Sequence, residues 1–360
     1  MSRISEKSNK KLEPSFWRIE PSFKYDVLCF LNVLSADPFY LQFYQKEYDE
    51  ILPKLMSRVQ KSLSNLRRIV KEEYKSIISA FLCMYFSATT DETISEMIHT
   101  IHYPYEMQKK MQKTTYYEDK EWQMFESIRE DLEIILQFLN SINFYAYWQD
   151  TILPKNQEKI DDFTKDLSKY KVIPEDELVL GYLLPSREIT VYVLNFTRPH
   201  GIRITGSRFL TDNTYPFIIV VRNAIHEMLH PPFDLKADQE LREILETLKN
   251  DEFLMDKVVH HNPDFGYNTF EDYIEEDCVH ALEQIVSERL KIEKEPHKRW
   301  KESDDGMHVF AVALYKCMKE ENYNDKGEIF RDFLVRKIKT GVLKAGKIKE
   351  IYNEFYQEIH

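Results

Sequence analysis

Apolar residues in the first half of the chain recur at the three- and four-residue spacing of an α-helix. Between Tyr25 and Leu34 this spacing aligns five apolar side chains: Val27, Leu28, Phe30, Leu31 and Leu34. Similar patterns occupy residues 54–71, 72–87, 91–111, 118–147 and 156–169. The first of the 8 glycines is Gly181, which favours helices joined by proline and polar turns over hairpins. We therefore predict an α-helical region over residues 1–175.

The pattern changes near residue 175. Over residues 178–222, β-branched and apolar residues alternate with glycine and proline, which predicts two to four short strands, the last of them within 215–221. Helical spacing returns over 236–259, 270–292, 305–322 and 328–358. The predicted fold class is mainly α with a small antiparallel β-sheet (α+β), with a second domain over residues 176–360.

Composition excludes several classes of partner. The net charge is −12 and the basic residues are dispersed, so nucleic acid is not an expected partner. The four cysteines show no disulfide or metal-binding spacing. No run approaches 18 apolar residues, so no membrane span is expected. The polar N-terminal segment lacks an apolar signal core, which predicts a cytoplasmic protein if this N-terminus is native and a secreted one if a leader was removed.

The segment His226-Glu227-Met228-Leu229-His230 has the pattern H-E-x-x-H. Residues four apart lie one above the other on a helix, so both imidazoles can share one Zn²⁺. Glu227 is then placed to act on water at the metal. Pro231 disfavours helix in the residue before it, which predicts that His230 lies in the last helical turn. The motif indicates a metal hydrolase.

A zinc hydrolase site needs a third protein ligand, and the predicted helix over 270–292 offers several carboxylates. A helical wheel places Glu271 and Glu275 near the apolar stripe of this helix and puts Glu276 opposite, with His280. The wheel alone therefore does not select Glu276 as the ligand.

The motif and the downstream acidic helix resemble the zincin metallopeptidases, specifically the gluzincin branch, over residues 178–290. The resemblance implies a zinc cofactor, a peptide or protein substrate, and a third ligand Glu on a later helix. In that branch the ligand Glu has apolar residues two before it, two after it, and five to six after it. Glu276 matches this pattern through Ile274, Cys278, Ala281 and Leu282, and Glu275 matches it less well. The resemblance therefore favours His226, His230 and Glu276 as ligands, with Glu275 as the alternative to Glu276.

The chain departs from the familiar members of that branch at two places. In thermolysin-like enzymes an Asp four residues after the ligand Glu orients a ligand His, whereas this chain has His280 there. His280 could hold such a ring only as an acceptor, which leaves the orienting residue unassigned. Two prolines, Pro231 and Pro232, follow the second motif histidine. These differences indicate a divergent member.

The implied mechanism is hydrolysis of a peptide bond by a metal-activated water, with Glu227 as general base. A donor is also needed for the developing oxyanion. The candidates are His280, Tyr273, Tyr267 and His308, and His280 is preferred because it lies one helical turn from Glu276. The segment Gly201–Phe209 is the expected edge strand for pairing with an extended peptide, and an ordinary hairpin arm is the alternative.

Two other functions are compatible with the sequence. One is a zinc hydrolase that acts on something other than a peptide. The other is a helical interaction protein in which the H-E-x-x-H pattern is vestigial or accidental. Metal content separates the interaction protein from both hydrolases, and digestion of a peptide library separates the two hydrolases.

Overall fold

A computed structural model describes residues 16–323 and 327–357. The polar N-terminal segment and the last residue of the predicted 328–358 helical pattern lie outside these ranges. The strands are β1 (Phe16–Glu20), β2 (Glu188–Leu194), β3 (Ile202–Ile204) and β4 (Arg208–Asp212). The helices up to the first long strand are α1 (Phe23–Leu34), α2 (Pro38–Ile51), α3 (Ser57–Arg67), α4 (Ile78–Phe86), α5 (Ile94–His102), α6 (Tyr105–Met111), α7 (Asp119–Ser141), α8 (Phe144–Tyr147), α9 (Leu153–Asp166) and α10 (Val172–Leu180). Those after the sheet are α11 (Phe217–Leu229), α12 (Gln239–Glu246), α13 (Glu252–His260), α14 (Phe270–Leu290), α15 (Pro296–Glu302), α16 (Val309–Glu320), α17 (Phe330–Lys339) and α18 (Ile348–Gln357).

The described chain divides into two compact units. The sheet unit contains Trp17–Ser168 and Glu188–Phe217, so it holds the early helices together with β2, β3 and β4. The motif unit contains Phe16, Lys169–Arg187 and the chain from Ile218 onward, which includes all of the H-E-x-x-H segment. Within the described ranges, no helix is both long and apolar enough to cross a bilayer.

The sheet is small and mixed, with strand order β1-β2-β4-β3. β2 and β4 run parallel, with Thr190 opposite Arg208, and β3 pairs with β4 in the antiparallel direction. The predicted fold class, mainly α with a small β-sheet, is confirmed. The predicted antiparallel direction holds for the β3–β4 pair and is wrong for the β2–β4 pair.

The segment Gly201–Phe209 forms a hairpin instead of one edge strand. Chain direction reverses between β3 and β4 at Gly206, whose φ of +76° is a conformation that glycine adopts without steric cost. β3 lies at the edge of the sheet and β4 lies inside it. The segment is therefore a hairpin whose first arm, β3, is an edge strand, and pairing of an extended peptide with that edge stays a prediction.

Two apolar runs that suggested strands are helical. Residues 178–180 end α10, and Phe217–Val221 begins α11. Short apolar runs fit a buried strand and a buried helix equally well, so their spacing does not separate the two. α10 ends at Gly181, whose φ of +79° is the left-handed conformation common after the last helical residue.

The sheet unit has a core built around α1, in which every residue is buried. Ser22 caps α1 by accepting from the Tyr25 backbone N–H, and Asp37 caps α2 with Pro38 at its first position. Asp26 is fully buried and accepts from Trp148 Nε1 (2.8 Å), Asn156 Nδ2 (3.2 Å) and the Asn195 backbone N–H (2.7 Å). Burial raises the pKa of Asp26 to about 7 although these three donors lower it.

The motif unit is organised around α14. Thr269 caps this helix by accepting from the Asp272 backbone N–H, and most residues of α14 are buried because α10, α13 and α16 pack against it. α11 ends at Leu229, so His230 directly follows the helix instead of lying in its last turn. Both helices carry charged residues on buried faces, which nonpolar packing alone does not explain.

Candidate metal centre

The two motif histidines face one another at the end of α11. His226 Nε2 and His230 Nε2 lie 3.1 Å apart, and the ring centroids are 4.8 Å apart. This approach follows from the i, i+4 spacing of the two histidines. His230 lies one residue beyond α11, but every residue between the two histidines is helical, so the spacing still applies.

Glu276 approaches the same point from α14. Its Oε1 is 3.2 Å from His226 Nε2, and its Oε2 is 3.3 Å from His230 Nε2. A tetrahedral zinc site with bonds of about 2.1 Å has ligand–ligand edges of about 3.4 Å. The three donor pairs, at 3.1 to 3.3 Å, are close to that value. The donor set of two imidazoles and one carboxylate is also one that zinc takes in hydrolases, so these residues could hold such an ion.

The protonation of the residues in this cluster depends on two opposing effects, burial and the charges of their neighbours. Burial opposes charge on His226, but Glu276 and Glu283 raise its pKa well above the usual range. His230 shows the same balance, with Glu275 and Glu276 raising its pKa to about 9. Burial likewise opposes ionisation of Glu276, but the facing histidines hold its pKa well below the usual range. The carboxylate of Glu276 is therefore ionised.

Glu275 contacts the other side of His230. Its Oε1 lies 3.2 Å from His230 Nδ1, so it accepts the Nδ1 proton and leaves Nε2 facing Glu276. A carboxylate on the distal nitrogen of a ligand histidine is the usual orienting arrangement in metal sites. The structure thus brings both of the neighbours that the sequence left as alternatives, Glu275 and Glu276, to His230.

Glu283 holds His226 in the same way and was missed by sequence reasoning. Its Oε2 is 3.3 Å from His226 Nδ1, and the residue is 5% exposed. Glu283 follows Glu276 by seven residues, which places both on one face of α14. That spacing was the signal that could have identified it.

His280 lies beside Glu276 and uses both ring nitrogens on protein partners. Nε2 is 3.2 Å from Glu276 Oε1, and Nδ1 is 3.0 Å from an Arg299 guanidinium nitrogen. Burial, with the nearby His308 and Arg299 charges, lowers the pKa of His280 to about 4, which leaves the ring neutral. The structure thus brings His280 to the cluster, with its polar atoms directed at Glu276 and Arg299.

His308 forms a buried ion-pair chain next to His280. Its Nδ1 is 2.7 Å from Asp277 Oδ1, its Nε2 is 2.8 Å from Asp304 Oδ2, and its ring centroid is 4.1 Å from that of His280. Burial opposes charge, but the two carboxylates raise the pKa of His308 to about 9. His280, Asp304 and His308 are also close enough to share an ion. Protonation of His308 and the Arg299 contact to His280 occupy the nitrogen lone pairs that such a second ion would need.

Of the tyrosines, Tyr267 and Tyr273 differ in what their hydroxyls contact. Tyr273 donates to the Met307 carbonyl, so its proton is directed away from the cluster. Tyr267 donates to the Glu276 carboxylate, and burial together with Glu276 raises the pKa of Tyr267 well above its usual range. The Tyr267 hydroxyl therefore keeps its proton beside the Glu276 carboxylate.

Glu227 is the buried carboxylate within the H-E-x-x-H segment. It is 6% exposed, and its carboxylate makes no hydrogen bond or ion pair with any residue in the described ranges. A carboxylate in this position can accept a proton from water without first breaking a protein contact.

The chain was compared with models of protein families, with curated proteins and with solved structures, and none of them matches it.

Proposed function

We propose that the protein is a zinc-dependent metallopeptidase whose metal ligands are His226, His230 and Glu276. The observation that supports this most directly is the mutual distance of the three donor pairs, 3.1 to 3.3 Å, in an N, N, O set of two partly buried histidines and a buried carboxylate. Glu275 and Glu283 add the distal carboxylates that orient ligand imidazoles. Five side chains thus have the contacts expected of a metal site: three proposed ligands and the two carboxylates that contact the ligand imidazoles. An H-E-x-x-H pattern that arose by chance would not require these contacts.

A zinc ion held by His226, His230 and Glu276 would supply a Lewis acid that polarises a substrate carbonyl and lowers the pKa of water. Glu227 would accept a proton from the attacking water and pass it to the departing amine. Its carboxylate is suited to this because it makes no hydrogen bond or ion pair with another described residue. Tyr267 holds an O–H donor beside Glu276, and this hydroxyl would turn from the Glu276 carboxylate to the substrate carbonyl oxygen and stabilise the negative charge that develops there.

The first experiment measures zinc in the full chain after purification without added metal and again after zinc loading. We expect one zinc per chain in the wild type, and loss of that zinc in His226→Ala. His297→Ala is the matched control, because His297 is a partly exposed histidine of the same unit that contacts Glu295 and the Phe355 carbonyl. Absence of zinc from a folded, zinc-loaded wild type would overturn the proposal and leave a helical interaction protein.

The second experiment digests a peptide library with the zinc-loaded protein and analyses the products by mass spectrometry. Cleavage that disappears on chelation and returns with zinc supports a peptidase. Zinc binding without peptide cleavage would assign the site to a hydrolase with another substrate.

A further inference from the structure

Arg299 is a buried cation whose three hydrogen-bond acceptors all lie on α14. The residue is 6% exposed, and its guanidinium reaches Gln284 Oε1 at 2.9 Å, His280 Nδ1 at 3.0 Å and the Glu283 carboxylate. A buried charge is costly unless it is paired and hydrogen-bonded. The forked guanidinium of Arg299 meets both conditions, because it pairs with Glu283 and donates hydrogen bonds to all three side chains. The guanidinium also has a second effect besides neutralising charge. Each atom that faces one of its N–H groups must act as a hydrogen-bond acceptor.

The contact with His280 fixes the tautomer of that ring. A guanidinium has donors and no acceptor, so His280 Nδ1 must present its lone pair. The neutral ring then carries its proton on Nε2, which lies 3.2 Å from Glu276 Oε1 and donates to it. Arg299 thereby directs an N–H group onto the carboxylate that we propose as the third metal ligand.

The contact with Glu283 acts on His226. A guanidinium N–H of Arg299 donates to Glu283 Oε2, so this oxygen is an acceptor. The same oxygen lies 3.3 Å from His226 Nδ1, which must therefore donate to it. His226 Nε2 is then the nitrogen that faces His230 and Glu276.

Glu275, which orients His230, lies in a different environment. Its side chain is 29% exposed, whereas that of Glu283 is 7% exposed. Water can hydrogen-bond to Glu275 and stabilise its charge, but it has little access to Glu283. The buried carboxylate is the one that needs the guanidinium.

We propose that Arg299 is the positioning residue of this centre: it sets the tautomer of His280 and, through Glu283, holds the Nδ1 proton of His226, and so directs His226 Nε2 and the Glu276 carboxylate at the same point. The assignment of the His280 tautomer concerns the metal-free protein. The consequence for metal affinity rests on the proposed zinc function.

The primary test is nitrogen-15 NMR of the metal-free wild type labelled at histidine, with the His280 signals assigned by comparison with His280→Asn. We expect His280 to be neutral, with its proton on Nε2. A proton on Nδ1 of His280 would overturn the proposal directly, without reference to zinc or to any other variant.

The second test compares Arg299→Met, Arg299→Lys and Arg222→Met. Arg222 lies on α11 and donates to the Ile292 carbonyl, so its loss removes a cation near Glu283 without touching His280. We expect Arg299→Met to release the His280 tautomer and to weaken zinc binding by about 10- to 100-fold in a chelator competition. Arg299→Lys keeps the charge but not the fork, so we expect partial rescue of affinity with the His280 tautomer still released.

The outcomes separate this proposal from the proposed function. If the wild type binds no zinc but His280 carries its proton on Nε2, the metallopeptidase proposal fails and the tautomer control stands. If zinc binds but Arg299→Met, folded by circular dichroism, keeps the wild-type tautomer and affinity, Arg299 is a structural residue only. Equal loss of affinity in Arg222→Met would show that general charge is responsible and would also overturn the proposal. Should neither Arg299 variant fold, the wild-type spectrum decides.

Discussion

His230 Nδ1 lies 3.2 Å from Glu275 Oε1, while the opposite nitrogen of the same ring lies 3.3 Å from Glu276 Oε2. Two consecutive carboxylates on α14 thus hold one imidazole from both sides. Of the two, only Glu276 also reaches the other motif histidine: its Oε1 lies 3.2 Å from His226 Nε2. The geometry therefore assigns different roles to the two carboxylates that the sequence left as alternatives.

The first prediction concerns these neighbours. Glu276→Ala removes a proposed ligand, so we expect zinc to be lost from the full chain. Glu275→Ala removes only the partner of His230 Nδ1, so we expect zinc to be kept with affinity lower by about 10- to 100-fold. Zinc stoichiometry and chelator competition measure both effects, with the exposed Glu293→Ala as control. Retention of full zinc in Glu276→Ala would contradict the ligand assignment.

A second prediction tests the general base. Glu227→Gln keeps the shape of the side chain but cannot accept a proton, so we expect peptide cleavage to fall by about 10²- to 10⁴-fold while zinc content stays unchanged. The rate of a cleaved library peptide is the measurement, and Glu293→Gln is the control. Activity within a few-fold of the wild type would exclude Glu227 as the base.

The Tyr267 hydroxyl is the subject of a third prediction. Tyr267→Phe removes a donor beside Glu276 and leaves the ring in place, so we expect kcat to fall by about 10²- to 10³-fold with little change in KM. Tyr273→Phe is the matched variant, because the Tyr273 hydroxyl donates to Met307 instead. If the two variants lose equal activity, the loss reflects packing and not oxyanion stabilisation.

The fold class was predictable because apolar spacing along α1 and the lack of glycine before Gly181 are local properties of the chain. The positions of the individual strands were not predictable in the same way. Phe217–Val221 is apolar and short enough to suit either a strand or a helix, and it begins α11 because it continues into the motif helix. Likewise, spacing alone did not show that Gly206 reverses the chain within residues 201–209.

The site was predictable as far as its local spacing extends. His226 and His230 lie four residues apart, and Glu283 was recognisable in principle from its seven-residue separation from Glu276. Arg299 gave no such signal. Its partners His280 and Glu283 are fixed by how α15 packs against α14, and no pattern within either helix carries that information.

A fourth prediction concerns packing at the end of α10. A Cβ at Gly181 would lie 2.7 Å from Ile329 Cα, a backbone atom that cannot move aside cheaply. Gly346 has a similar φ, +84°, but a Cβ there would meet nothing within 4 Å. Both alanine variants incur a left-handed backbone cost of about 1–2 kcal/mol, and we expect Gly181→Ala to lose about 1–3 kcal/mol more. Urea unfolding measures the difference, and equal free energies of unfolding would contradict the close contact.

The last prediction is a pH dependence of stability that originates at Asp26. Its pKa is raised by burial to about 7, above the ordinary value of 3.8, so the folded state binds a proton that the unfolded state has released. The free energy of unfolding therefore falls as pH rises from about 4 to about 7, because proton release then favours the unfolded chain. Between pH 5 and pH 7 we expect Asp26 to account for about 2–3 kcal/mol of that fall. Asp26→Asn keeps an acceptor for Trp148 but cannot ionise, and the difference in unfolding free energy between wild type and variant, measured in urea at each pH, isolates this contribution from the other titrating groups. A difference that stays constant over this range would show that Asp26 is ionised throughout, held so by its three donors.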